Sequence, residues 1–212
     1  MTIEIKVFSD YVCPFCYIGK ATFNEAIKNK NVNVRWMPFE LRPSSAPPIY
    51  PEQMQGLFDQ AVKPLAERLN VNMSLPEMSP HPRTPIIHEG FLYAKEHNKG
   101  TEYNEMVYKM FWEEQKDIGD IAVLKEVVKQ IDLDADEFEN ALNTRKYKNE
   151  LEAYLKKAAE DHISSIPTFI IGGQRLQGVQ SKETIEQLIQ AESDKFNSTD
   201  LSNASCNIDG CD

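Results

Sequence analysis

The apolar residues of this chain repeat with two different periods, and the order of those periods restricts the fold more than any single motif does. Residues 3–8, "IEIKVF", alternate apolar and polar, as a strand buried on one face does. After a short turn comes "YIGKATFNEAIKN", in which Ile18, Ala21, Ala26 and Ile27 can share one helical face. Pro14 suits the first turn of that helix, because it has no N–H to leave unpaired. "VNVRWMPFEL" (32–41) returns to alternation through Val32, Val34 and Trp36. Strand, helix, strand is a βαβ unit, and it favours a parallel pair.

A proline-rich break, "RPSSAPPIYP" (42–51), ends that unit, and from about 52 to 160 the apolar spacing is helical throughout. The helical segments read as "EQMQGLFDQAVKPLAERL", "TPIIHEGFLYAKEHNK", "EYNEMVYKMFWEEQ", "DIAVLKEVVKQI", "DADEFENAL" and a long charged helix "TRKYKNELEAYLKKAAED". Strand character comes back at "IPTFIIGGQRLQG" (166–178), where Gly172–Gly173 between two apolar runs predicts a tight hairpin. "SKETIEQLIQAE" is a last helix with Ser181 as its N-cap, and residues 193–212 are polar enough to read as a tail. The two ends of the chain together make a four-stranded mixed sheet with helices on its faces. The expected class is therefore α/β: a thioredoxin-like fold with a large all-helical insertion. Residues 1–42 and 160–192 would form the thioredoxin-like domain and 43–159 the insertion, followed by the 193–212 tail.

A formal net charge of −10, with no basic cluster, argues against nucleic acid and anionic membranes as partners, because nothing would neutralise phosphates. The opening "MTIEIKVFSD" has neither the basic nor the apolar region of a secretory leader, so a reducing cytoplasm is the expected compartment. In that setting the four cysteines are not expected to form a structural disulfide framework. Cys13 and Cys16 lie at the strand-to-helix turn, and Cys206 and Cys211 lie near residue 212, in the tail.

Cys-x-x-Cys at a helix start has the spacing that disulfide chemistry needs, since residues three apart on a helix face the same way. Cys13 would sit at the positive end of the helix dipole, which favours a nucleophilic thiolate, while Cys16, one turn in, would be the more buried, resolving thiol. Phe15 would supply an apolar face beside the sulfurs. It carries no charge and no hydrogen-bonding group, so a couple less oxidising than the strongest of its kind is expected. Two other readings stay open on these residues. The cysteines could be plain core residues, or the two pairs could supply four thiolates to a zinc ion as a binding module. Asp10 could cap the helix, take a proton from Cys16, or be an ordinary turn residue. His81, His88, His97 and His162 show no ligand spacing and read as surface or packing residues. Met106, Met110, Phe111 and Trp112 read as core.

"DYVCPFCYIG", "PFELRP", "FWEEQKDIGDIAVL", "SIPTFII" and "GVQ" resemble the DsbA-type thioredoxin-fold proteins, and the FrnE-like branch in particular, over nearly the whole chain to about residue 192. The resemblance implies a thiol–disulfide oxidoreductase with Cys13 and Cys16 as its catalytic pair and no cofactor or metal. It also implies a cis Ile166–Pro167 bond facing that pair, with Ile166, Pro167 and Phe15 contacting substrate. Protein or peptide thiols and disulfides would be the partners, and glutathione or a thioredoxin system the candidate electron partner. It suggests an auxiliary redox pair in Cys206 and Cys211. About 14 residues of flexible linker would span roughly 20 Å, enough for that pair to reach Cys13. The alternative within the same superfamily is a glutathione-dependent enzyme of the hydroxychromene-carboxylate isomerase or kappa glutathione transferase type. Those generally carry serine where Cys13 stands.

Overall fold

A computed structural model describes the backbone of residues 2–204 and the side chains through 195. Strands β1 (Ile3–Ser9) and β2 (Val32–Pro38) flank helix α1 (Pro14–Ile27) and pair in parallel, Ile3 opposite Val32 and Val7 opposite Trp36. Strands β3 (Thr168–Ile171) and β4 (Gln174–Gln177) form the hairpin expected around Gly172–Gly173, and β3 lies antiparallel to β1 with Val7 opposite Phe169. The sheet order is β2-β1-β3-β4. The expected mixed α/β architecture is the one observed.

Between β2 and β3 the chain forms α2 (Pro51–Leu57), a π-helical turn (Phe58–Val62), α3 (Lys63–Arg68), α4 (Pro85–Glu96), α5 (Gly100–Trp112), α6 (Ile121–Gln130), α7 (Ala135–Asn143) and α8 (Lys148–Glu160). Three departures from the sequence reading have physical causes. The first helical segment widens into a π turn just before Pro64, whose missing N–H and bulky ring cannot fit a regular helix interior. "TRKY" closes α7 instead of opening α8. Arg145 takes a left-handed conformation (φ 54°), and the N–H of Lys146 donates to the carbonyl of Ala141 at 2.9 Å while that of Arg145 donates to Leu142 at 3.0 Å. That paired arrangement stops a helix even without glycine. The last helix, α9 (Lys182–Ala204), runs well past residue 192, so the chain at 193–204 is not a loose tail. It contains neither glycine nor proline, and Gln190 bonds Asp194 one turn on. The flexible-linker reach from about residue 192 to Cys206 therefore does not apply as stated. Cys206 and Cys211 themselves lie outside the described residues.

Alternation along β1 divides the interior. Ile3, Ile5 and Val7 point to one face, where they meet Phe23 and Ala26 of α1, Phe169 and Ile171 of β3, and Ile185 and Ile189 of α9. Phe8 points to the other face, into a larger core shared with the insertion, where Tyr103, Phe111 and Trp112 are fully buried. Gly90 lets α4 and α5 cross closely: a Cβ there would come within 2.2 Å of the Tyr103 hydroxyl, which donates to the Ile87 carbonyl at 3.1 Å. Met110, Phe111 and Trp112 are core as expected, and Met106 is partly buried against the same cluster.

Candidate active site

The carboxyl end of β1 delivers the chain directly to the cysteine turn. Cys13 is the N-cap residue of α1, extended at φ −90° and ψ 113°, and Pro14 occupies the first helical position. The Cys13 carbonyl accepts from the N–H groups of Cys16 (3.1 Å) and Tyr17 (3.2 Å), and the Cys13 N–H donates to the Asp10 carbonyl at 3.2 Å. Both thiols are thus fixed on one helical turn. Cys13 is 3% exposed and Cys16 1%, so the burial difference expected between them is small.

The hairpin supplies the other wall. The peptide bond Ile166–Pro167 is cis, and the Ile166 carbonyl oxygen lies 3.9 Å from Cys13 Sγ. Both residues are buried. Gly19 permits this approach, because a Cβ there would sit 3.0 Å from Pro167 Cγ. Phe15 is half-buried and packs against the large core. Cys13, Cys16, Ile166 and Pro167 are therefore brought together at one end of α1.

Behind the sulfurs lies a polar layer. Burial raises the Cys16 thiol well above its ordinary range, and hydrogen bonding to Cys13 and negative charge there push the same way. The Asp10 N–H and the Ser9 hydroxyl oppose that shift, since both can donate to the sulfur. Tyr108 of α5 hydrogen-bonds Ser9 through its hydroxyl and donates to the Asp10 carbonyl at 3.1 Å. Trp112 Nε1 donates to the Tyr11 carbonyl at 2.9 Å, and Tyr17 stacks on both Tyr108 and Trp112.

The Asp10 side chain ties down the segment after β2. Its Oδ2 accepts from the Leu41 N–H at 2.7 Å. His88 Nε2 is 3.3 Å from Asp10 Oδ1 but also 3.1 Å from the Phe39 carbonyl. Oδ1 has no directed hydrogen bond, so the His88 contact is one of proximity and the N–H is aimed at Phe39. Glu40 has one buried, unpartnered oxygen, and burial, then Asp10, raise its carboxyl above the usual range, with His88 and Arg83 pulling it back. Arg42 is half-buried; burial lowers its guanidinium, while Asp10 and Cys13 favour the charged form. It is a cation placed to feel charge on Cys13.

Sequence reasoning missed Ser9, Arg42 and Tyr108 around the pair, and His88 as the neighbour of Asp10. Arg42 lies in the quoted "PFELRP", but nothing local assigns it a role. Tyr108 reads only as one more apolar position on α5. Among the described residues, no cluster of three or more His, Cys, Asp or Glu could hold a metal ion, and no helix is long and apolar enough to cross a membrane. The four-thiolate zinc reading needs Cys206 and Cys211, outside those residues.

Known proteins are similar to this chain in sequence and fold. Uncharacterized protein YwbO of Bacillus subtilis (strain 168) is 46% identical over 199 residues, covering 92% of this chain and all of YwbO. The crystal structure of the probable DsbA oxidoreductase SCO1869 from Streptomyces coelicolor superimposes with a TM-score of 0.79 at 25% identity, covering 90% of each chain. A 2-hydroxychromene-2-carboxylate isomerase superimposes with a TM-score of 0.68 at 16% identity, over 96% of this chain and 99% of that one, a likeness of fold alone. Residues 4–190 match the model of the DSBA-like thioredoxin domain, and the chain belongs to that family.

Proposed function

We propose that the chain is a thiol–disulfide oxidoreductase that exchanges disulfides with protein or peptide thiols through Cys13 and Cys16. The observation that carries this reading is the pair of thiols on the first turn of α1, with the Ile166 carbonyl 3.9 Å from Cys13 Sγ. In the reducing direction, the Cys13 thiolate attacks one sulfur of a substrate disulfide. A Cys13–substrate bond forms, the substrate S–S bond breaks, and the electron pair leaves on the first thiolate. Cys16 then attacks Cys13 Sγ, the mixed disulfide breaks, and the second substrate thiolate departs. The two protons of the dithiol end on the two released thiols, and two electrons pass to the substrate. The oxidising direction is the reverse, and the potential of the partner, glutathione or a thioredoxin-type protein among the candidates, decides which runs.

Cys13 stands at the N-terminus of α1, with the Arg42 guanidinium near enough to interact with it electrostatically. The Ile166 backbone beside the sulfur offers an acceptor to an extended peptide, as a short strand edge would, and Phe15 offers it an apolar contact. The intact second thiol counts against the glutathione-dependent isomerase type, which needs none.

The test is a mass measurement after mixing reduced protein with a peptide disulfide. Wild type should end with two hydrogens lost and no adduct, Cys16→Ser should hold the peptide on Cys13, and Cys13→Ser should form no adduct on residues 13–16. Full glutathione-dependent turnover in Cys16→Ser would replace this reading with the isomerase or transferase one.

A further inference from the structure

Resting on the dithiol reading, we propose that the substrate polypeptide docks on the segment from Leu41 to Leu57. Arg42 is the specificity residue of that surface: it takes a carboxylate that the polypeptide carries beside its reacting cysteine. Hydrogen bonds place the segment next to the thiols. The Leu41 N–H donates to the Asp10 carboxylate at 2.7 Å, and the Cys13 N–H donates to the carbonyl of the same residue at 3.2 Å. The Phe39 N–H donates to the Ser9 carbonyl at 3.1 Å. The chain thus leaves β2 alongside the cysteine turn, and Arg42 follows at once.

Arg42 is half-buried but unoccupied. Among the described residues its guanidinium makes one contact, Nη2 to the Met54 sulfur at 3.7 Å, and no ion pair with a carboxylate. Sulfur is a weak acceptor, so most of a planar fork suited to two parallel bonds with a carboxylate stays unused. None of its nitrogens is sealed in the interior without a partner, so the unused donors are open to a ligand. The carboxylates nearest in sequence do not take them: Glu40 has one oxygen buried in the interior, and Glu52 is exposed on α2. Arg83, by contrast, is occupied. Its Nη1 donates to the carbonyls of Arg42 (2.9 Å) and Pro43 (2.8 Å), and its Nη2 to that of Ala46 (2.5 Å). The His81 N–H donates to the Ile49 carbonyl at 3.0 Å. The proline-rich loop is therefore held in one shape before anything binds, and binding does not have to order it.

The apolar part of the surface argues for a polypeptide. Leu41, Tyr50 and Leu57 are the exposed large apolar side chains among the described residues, and all three fall in this segment. Tyr50, Met54 and Leu57 lie four and three positions apart along α2 and its N-cap, so they share a face, and Met54 is the residue that Arg42 touches. A small thiol has nothing to set on that face, whereas a chain with an acidic residue among apolar ones fits both parts. The net charge of −10 gives an acidic segment no general attraction, so its selection has to come from a cation at the site.

The experiment compares kcat/KM for peptide disulfides of one sequence in which the residue next to the cysteine is Glu, Gln or Lys. Unsubstituted protein should take the Glu peptide about tenfold faster than the Gln peptide, the effect of one hydrogen-bonded charge pair, and the Lys peptide slowest. Arg42→Gln should erase the Glu preference, and Arg42→Lys should keep part of it, because an ammonium lacks the planar fork. A ratio taken within each protein cancels any effect of Arg42 on the reactivity of Cys13 itself. Leu57→Ser should cut by about threefold the advantage of a peptide with leucine over one with serine at the next position. Glutathione disulfide has carboxylates but no chain to reach Tyr50 and Leu57, so its rate relative to the Gln peptide should not move in Arg42→Gln. Equal rates for the Glu and Gln peptides, or a Glu preference that survives Arg42→Gln, would overturn the proposal. So would a loss with glutathione disulfide as large as that with the Glu peptide, which would make this a site for small thiols. If unsubstituted protein exchanges with none of these disulfides, the dithiol reading itself fails, and that outcome is distinct because it needs no variant.

Discussion

The two sides of the sheet bury their residues for different ends. Towards α9, the hydrophobic cluster is isoleucine, valine, phenylalanine and alanine, supplied by alternate positions of β1 and by α1, β3 and α9, with a buried charge of α9, Glu192, against the β3–β4 turn at Gly172. Towards the insertion, burial is far more extensive and takes in the polar residues Ser9, Asp10, His88 and Asn104, all nearly inaccessible. Hydrocarbon packing stabilises in proportion to area and asks for no particular direction. A dry polar layer contributes little net stability but fixes where donors and acceptors point, because any group left unpaired is costly. The α9 side can hold the sheet together while the insertion side holds two sulfurs and their partners in place. β1 serves both, and only at its carboxyl end does the insertion-facing side become dry: Glu4 is exposed, Lys6 half-buried and Phe8 buried.

Cutting a side chain from the hydrocarbon side should have the largest effect on stability. Ile5→Ala, at a fully buried position, should cost about 2–5 kcal/mol in denaturant unfolding. The exchange rate per folded molecule should stay the same, and a changed redox potential would show that the two sides are not separable. Gly19 stands on the boundary, with Pro167 on one hand and Phe169 on the other. Gly19→Ala should cost about 1–3 kcal/mol through overpacking and, unlike Ile5→Ala, should also alter the rate of Cys13 alkylation. If only stability changes, the boundary lies elsewhere.

The smallest effect belongs to the insertion, remote from the cysteines. Asp134 caps α7 by accepting from the N–H groups of Glu137 (2.8 Å) and Asp136 (2.9 Å), which hold its carboxyl below the usual range. A depressed folded-state pKa gives stability that is complete above the unfolded value, near 4, and is lost as pH falls through the folded one. Asp134→Ala should therefore lower the melting temperature slightly at pH 6, and the gap should close as the pH is taken towards 3. Exchange activity should not respond at either pH.

What could be read in the sequence follows from the range of the interactions involved. The alternation of β1 and β2, the Gly172–Gly173 hairpin and the Cys-x-x-Cys turn are set by residues within a few positions of one another, and all were legible. Arg145 was not, since a left-handed arginine closing a helix carries no composition signal. The continuation of α9 past residue 192 was hidden too, because polar residues suit an exposed helix as well as a loose tail. The layer behind Cys16 was the least legible, as Ser9 and Tyr108 are 99 residues apart. Only the packing of α5 beside α1 brings their hydroxyls together.

The sheet order carries a consequence for how the protein is made. β1 sits between β2, which follows it within about thirty residues, and β3, which begins at Thr168. On the ribosome the cysteine turn is complete long before the wall formed by Ile166 and Pro167 exists. At about 5–20 residues per second, the interval from Cys16 to Ile166 lasts roughly eight to thirty seconds. Throughout it, two adjacent thiols that are nearly inaccessible in the finished molecule stand open to every oxidant and disulfide nearby. The nascent chain therefore exposes its two thiols before the finished fold covers them.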